Sequence, residues 1–252
     1  MRLFKSILSA SLWVIFMPLL AHAGEVSVAA ASNFSATLDQ LVRKFEAASG
    51  HHVRVSKGST GKLYAQIANG APFDVFLAAD SERPMRIEQE KLAVAGSRFT
   101  YAIGRLVLWS PKASLVDVNG QVLKQGQFQH LAIANPKTAP YGTAARETLE
   151  NLGLLKSVQA KLVQGEDIGQ TLQFVASGNA ELGFVSLAQI KAAGSKYQGS
   201  YWLVPQTLHM AISQQAVLLE KGRNNAAAHD FLIYMKSNEA RAIIDNNGYA
   251  TP

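Results

Sequence analysis

The sequence predicts an α/β protein built on mostly parallel β-sheets, and three observations carry that prediction. Short apolar runs alternate with stretches of helical spacing between Val26 and Asp80. The same alternation begins again at Leu131 and runs to Leu187. The junctions between them hold Ser, Thr, Asn, Asp and Gly, with no solenoid repeat and no low-complexity linker. A chain of 252 residues, 48% apolar and 17% charged, can bury a sizeable core. Its length fits one large or two medium domains.

Val26-Ser-Val-Ala-Ala-Ala-Ser-Asn33 reads as a buried strand running into a cap. Phe34, Leu38, Leu41, Val42 and Phe45 then fall at helical spacing, and Gly50 stops the helix. Val53 and Val55 alternate as a short strand before the turn at Lys57 to Gly61. Leu63, Gln66 and Ile67 suggest a short helix ending at Asn69-Gly70, and Val75 to Ala78 form the next strand, closed by Asp80. Tyr101 to Trp109 reads as one long strand ending at Ser110-Pro111. The second series opens with a strand at Leu131 to Ala134, and a turn from Asn135 to Gly142 leads into a helix with Ala145, Leu149 and Leu152 on one face. Val163 ends another strand. Asp167 opens a helix carrying Ile168, Leu172 and Val175, which Gly178 ends; Leu182 to Leu187 is strand-like. Met210 to Leu219 is extended, and Ala226 to Ile244 is helical.

Residues 1–23 read as a secretory signal peptide. Arg2 and Lys5 precede an uncharged run from Ile7 to Leu20, followed by Ala21-His22-Ala23, a small-x-small cleavage pattern. The apolar run is about 14 residues against roughly 20 for a bilayer span, and it contains Pro18. With no cysteine, the chain has no disulfide, thiolate nucleophile, Cys-held zinc or site for a lipid on Cys. A freely diffusing mature protein needs an enclosed compartment such as a bacterial periplasm. The formal charge of +6 is scattered and shrinks on cleavage, too mild for a nucleic-acid partner.

Four strand-to-helix turns share one chemistry: Ser32-Asn33, Ser59-Thr60-Gly61, Ala139 to Thr143, and Glu166 to Gly169. Each puts hydroxyl or amide side chains, or glycine, where the first backbone N–H groups of a helix lack partners and the dipole is positive. In parallel sheets such turns gather at the carboxyl ends of the strands. Several aimed at one point would hold a small anion without Lys or Arg. Taken singly, each turn is equally an ordinary N-cap. Asp167 is the clearest cap, since Asp167 and Gln170 have capping-box spacing.

Catalytic patterns are thin. The sequence has no G-x-S-x-G elbow, no H-E-x-x-H and no G-x-G-x-x-G. Ser56 to Leu63 imitates a phosphate loop but has Ser56 for the first glycine and Leu63 for the magnesium-holding hydroxyl. His51 and His52 would point to opposite faces of a strand. An enzyme is the weaker reading, a secreted hydrolase using Ser59 or Ser186 its only form.

Val28-Ala-Ala-Ala-Ser-Asn33, Gly58-Ser-Thr-Gly61 and Gly70 to Asp80 (Gly-Ala-Pro-Phe-Asp-Val-Phe-Leu-Ala-Ala-Asp) stand in a specific order with four further marks. These are Ala134-Asn-Pro, Ala139-Pro-Tyr-Gly142, Glu166-Asp-Ile168 and Leu182-Gly-Phe-Val185. Together they resemble the periplasmic molybdate-binding proteins of molybdate ABC importers, over essentially the whole chain after the leader. The resemblance implies a two-lobed type II periplasmic binding protein fold, with a tetrahedral oxyanion held in the cleft by hydrogen bonds alone. It implies ligand contacts at Ser32, Asn33, Thr60, Tyr141 and the Ile168 N–H, with Ser59 the fallback for Thr60. Ser32, Thr60, Tyr141 and Ile168 would then hold the metal only through the oxygens of its oxyanion, with no bare cation site. Thr60 stands where Ser is more usual, and Ser186 where some members have a ligand-reaching Tyr.

The resemblance further implies that residues 24–102 with 209–252 form lobe one and 103–208 lobe two. The two crossings would fall near Ala102 and His209. The expected protein is a monomeric carrier, neither membrane-inserted nor cofactor-dependent, that delivers molybdate and tungstate to an importer's membrane permease. Carriage of sulfate or another tetrahedral oxyanion is the alternative within that class.

Overall fold

The computed structural model describes residues 23–192 and 194–252; the expected leader lies outside them except for Ala23. In chain order, β1 (Glu25–Ala31) passes through a 3-10 turn (Ser32–Phe34) into α1 (Ser35–Ser49). There follow β2 (His52–Gly58), α2 (Thr60–Ala68), β3 (Val75–Leu77), α3 (Glu82–Gln89) and β4 (Phe99–Gly104). Next come β5 (Leu106–Ser110), α4 (Val122–Gln125), β6 (Leu131–Ala134), α5 (Pro140–Asn151) and α6 (Leu155–Val158). Then β7 (Leu162–Gly165), α7 (Ile168–Ala176), β8 (Leu182–Ser186), α8 (Leu187–Ala192) and β9 (Ser200–Leu203) complete the middle of the chain. β10 (Ile212–Leu218), α9 (Ala226–Met235) and α10 (Asn238–Asn246) close it.

The strands form two five-stranded sheets, ordered β2-β1-β3-β10-β4 and β7-β6-β8-β5-β9. In each, three parallel strands carry two more that run antiparallel to their neighbours. β10 and β5 hold corresponding places, and each is the first strand after the chain changes sheets. Each sheet has its own core. Leu38, Leu41 and Phe45 of α1 pack with Val26, Val28, Phe231 and Ile244 around the first, while Leu106, Leu131, Ile133, Leu149 and Phe184 pack around the second. Each such buried side chain contributes about 1.5–3 kcal/mol. The apolar face therefore holds α1 in place more than its propensity does, and Gly50 ends it at φ 74°.

The expected strand from Tyr101 to Trp109 is two strands in two different sheets. Ile103 and Gly104 still pair with Ser213 and Ile212, whereas Leu106 already pairs with Ser186. The chain thus changes sheets at Arg105, close to the expected crossing near Ala102. Apolar continuity hid the break, because both halves are core strands. Leu187 opens α8 instead of ending β8. The helical tail is interrupted at Ser237, whose hydroxyl accepts from the Ala240 N–H and restarts the chain as α10.

Candidate functional site

The four turns lie at the carboxyl ends of β1, β2, β6 and β7. These are neighbouring parallel strands within each sheet and hold equivalent positions in the two. The two pairs face one another across a cavity of about 190 Å³ of atom-free space, part of it open to solvent. Its lining includes Ser32, Asn33, Ser59, Thr60, Tyr141, Asp167 and Ile168, so every residue expected at the site reaches one place.

The backbone N–H groups of Asn33, Thr60, Tyr141 and Ile168 have no acceptor among the described residues. Each stands in the first turn of a helix, where such orphans belong. Neighbouring amides are taken. The Gly61 N–H donates to the Thr138 carbonyl at 2.8 Å, the Gly142 N–H to Ala139, and those of Gly169 and Gln170 to the Asp167 carboxylate at 2.7 and 3.0 Å. Two donors from each side of the cleft therefore remain.

Hydroxyls add to them. Thr60 Oγ1, buried, accepts from the Ala79 N–H at 3.0 Å, which leaves its hydrogen free. Ser32 is half-buried and its hydroxyl has no protein partner among the described residues. Ser59 takes the other role: its hydroxyl caps α2 by accepting from the Lys62 N–H. Asn33 contributes differently from what its side chain suggests. Its amide nitrogen donates to Gln214 Oε1 at 2.9 Å and to the Tyr249 hydroxyl at 3.1 Å, so only its backbone N–H is left for a ligand.

Tyr141 is buried, and burial above all pushes its hydroxyl pKa well above the ordinary 10, with Tyr249 and Tyr101 adding to the shift. It keeps its hydrogen at any physiological pH. Gly104 at the crossing makes room for it: a Cβ there would lie 2.2 Å from Tyr141 Oη.

Asp167 is the only charged side chain in the lining among the described residues. Its Oδ1 is turned onto its own helix, as the capping spacing predicted, but Gln170 Oε1 accepts from the Glu166 N–H instead of completing the box at Asp167. Asp167→Ala is expected to lower stability by about 1 kcal/mol through the lost cap and to leave ligand affinity almost unchanged. Chemical denaturation beside calorimetric titration measures both.

The cleft is closed. Besides the Gly61–Thr138 bond, Lys62 pairs with Glu166, and Arg83 Nη2 donates to the Lys137 carbonyl at 3.2 Å across the gap. Ser186 is no nucleophile in waiting: its hydroxyl accepts from the Gln189 N–H at 3.2 Å, capping α8. His51 bridges the Gly24 N–H and Asp230, while His52 faces Glu46.

Two α/β lobes joined by two crossings, with a small donor-lined cavity between them, are the architecture of an extracellular solute-binding protein. The family model for bacterial extracellular solute-binding proteins matches residues 26–250. The molybdate-binding protein ModA of Azotobacter vinelandii is 52% identical over 229 residues, 91% of each chain. The ModA of Rhodobacter capsulatus is 46% identical over 238 residues, 94% of this chain and 93% of that one. The solved Azotobacter vinelandii periplasmic molybdate-binding protein superposes with a TM-score of 0.87 at 46% identity, covering 90% of this chain and 99% of that one. The chain belongs to this family of molybdate-binding proteins. It is a binding protein of the transport class, not an enzyme.

Proposed function

We propose that this chain captures molybdate, and tungstate with it, in the periplasm and hands it to the membrane permease of an ABC importer. It does so as a monomer without a cofactor. The observation that carries the reading is the set of four orphan N–H groups, two from each lobe, around a cavity lined by no Lys, Arg or His among the described residues. Helix N-termini and hydroxyls supply positive potential without a counter-ion. The donors would be the N–H groups of Asn33, Thr60, Tyr141 and Ile168 with the hydroxyls of Ser32, Thr60 and Tyr141.

Such a site suits an oxyanion that carries no proton at neutral pH. Hydrogen phosphate would set its O–H against donors, leaving an unmade bond worth about 1–3 kcal/mol. Sulfate is fully ionised too, and only its smaller tetrahedron tells it apart. Tungstate is nearly the size of molybdate and is expected to bind alike. A thermal-shift and native mass screen against molybdate, tungstate, sulfate and phosphate tests the reading. Stabilisation by sulfate alone would replace molybdate with the smaller anion, and no response to any of the four would overturn the oxyanion reading.

Because the donors are split between lobes, ligand is expected to favour the closed form by its differential affinity for it. Solution scattering should show a smaller radius of gyration with molybdate than without. An unchanged radius would mean a rigid pocket.

A further inference from the structure

Gln214 does not line the cavity, yet it is fully buried between its two halves. It lies on β10 at a bulge, where Gln214 pairs with Ala102 and Gln215 with Thr100, skipping Tyr101. Its Oε1 accepts from Asn33 Nδ2 at 2.9 Å and lies 3.1 Å from the Tyr101 hydroxyl, which also reaches the Ala78 carbonyl. The Asn33 bond fixes which end of the Gln214 amide is which. Nε2 must face the other way, and there it donates to Tyr141 Oη at 3.2 Å, from lobe one to lobe two.

That contact decides the polarity of Tyr141. A phenol oxygen can accept or donate. With the Gln214 N–H delivered to it and the Ser186 side chain also within hydrogen-bond reach, the group it has left to offer the anion is its hydrogen. Thr60 has a parallel: the Ala79 N–H takes one of the two acceptor positions of its oxygen and leaves its hydrogen for a ligand. Thr60 and Tyr141 thus each receive an N–H from lobe one, Thr60 from backbone and Tyr141 from a side chain, and each keeps its hydrogen to give.

From this geometry we infer that Gln214 is a positioning residue for selectivity: by donating to Tyr141 Oη it denies that oxygen to a protonated anion. The inference rests on the oxyanion reading above. Without Gln214, the Tyr141 oxygen would be open to the O–H of hydrogen phosphate, and the site would lose part of its means of refusing it.

Calorimetric titration with molybdate and with inorganic phosphate near neutral pH tests this on four proteins: wild type, Gln214→Met, Tyr141→Phe and the double variant. In Gln214→Met the ratio of phosphate Kd to molybdate Kd should narrow about tenfold or more. In the Tyr141→Phe background, where no phenol oxygen exists, the same change should leave the ratio within about twofold. A merely structural role predicts weaker binding of both anions at a constant ratio, and that result overturns the inference, as does equal narrowing in both backgrounds. If Tyr141→Phe binds molybdate as wild type does, the inference falls while the carrier function stands; if wild type binds neither anion, both fall. Gln214→Glu retains an acceptor for Asn33 and serves if the methionine variant does not fold. Its molybdate affinity should drop with rising pH as the carboxylate takes the Tyr141 hydrogen, and drop less in the Tyr141→Phe background; an equal drop there counts against the inference.

Discussion

The Ser32→Ala/Thr60→Ala double variant is expected to bind molybdate at least a hundredfold more weakly than wild type. Each hydroxyl would make a charge-assisted hydrogen bond, and each such bond is worth about 1.5–3 kcal/mol. Every 1.4 kcal/mol is about tenfold in affinity. Adding the low ends of the two ranges, about 3 kcal/mol, gives the hundredfold; the two groups touch one ligand, so a departure from that sum measures their coupling. Folding should suffer much less. Ser32 has no protein partner for its hydroxyl among the described residues, and Thr60 loses only the bond its oxygen accepts from the Ala79 N–H. Calorimetric titration with molybdate, beside a melting curve, reads both quantities. Near-native affinity in the double variant would put the pocket elsewhere. Ser59→Ala is the companion measurement. Its hydroxyl caps α2, so it should cost stability and spare affinity; the reverse would move the second contact from Thr60 to Ser59.

The turns were legible in the sequence because N-terminal chemistry is local: Ser, Thr, Asn and Asp announce a helix start wherever the fold puts it. Their convergence was not, since it depends on the pairing of β1 with β2 and β6 with β7, which residue spacing does not encode. Asn33 shows the limit within one residue. Its position in the first turn was readable, but the destination of its amide required knowing that Gln214, 181 residues away, faces it. Gln214 itself left a signal that went unused. On an alternating strand it shares the apolar face with Ile212 and Ala216, and a glutamine on a buried face has to find partners. The break at Arg105 left only a faint one. Both sides of it are apolar strands, and the mark beside it is Gly104, which leaves room for the phenol of Tyr141 from the other lobe.

Tyr141 carries the second large expected effect, because its hydroxyl and its ring do different work. Removing the hydroxyl alone, as Tyr141→Phe does, keeps the ring in the core formed with Ile133, Leu149 and Ile212. If the hydroxyl donates to the anion, affinity should fall by about 1–3 kcal/mol, about fivefold to more than a hundredfold, for molybdate and tungstate alike. Wild-type affinity should also be flat from about pH 6 to pH 9 as far as Tyr141 is concerned, since burial raises its pKa well above 10 and the donor hydrogen is never lost. Tyr141→Ala removes the ring as well and should damage binding through lost closure, with stability lower by about 3–5 kcal/mol, the range for emptying a buried aromatic site. A neutral Phe variant beside a damaged Ala variant would leave the Tyr141 backbone N–H as its only contribution to the anion. Damage in both keeps the hydroxyl in the site, and the Gln214 contact behind it then becomes the reason that hydroxyl can only donate.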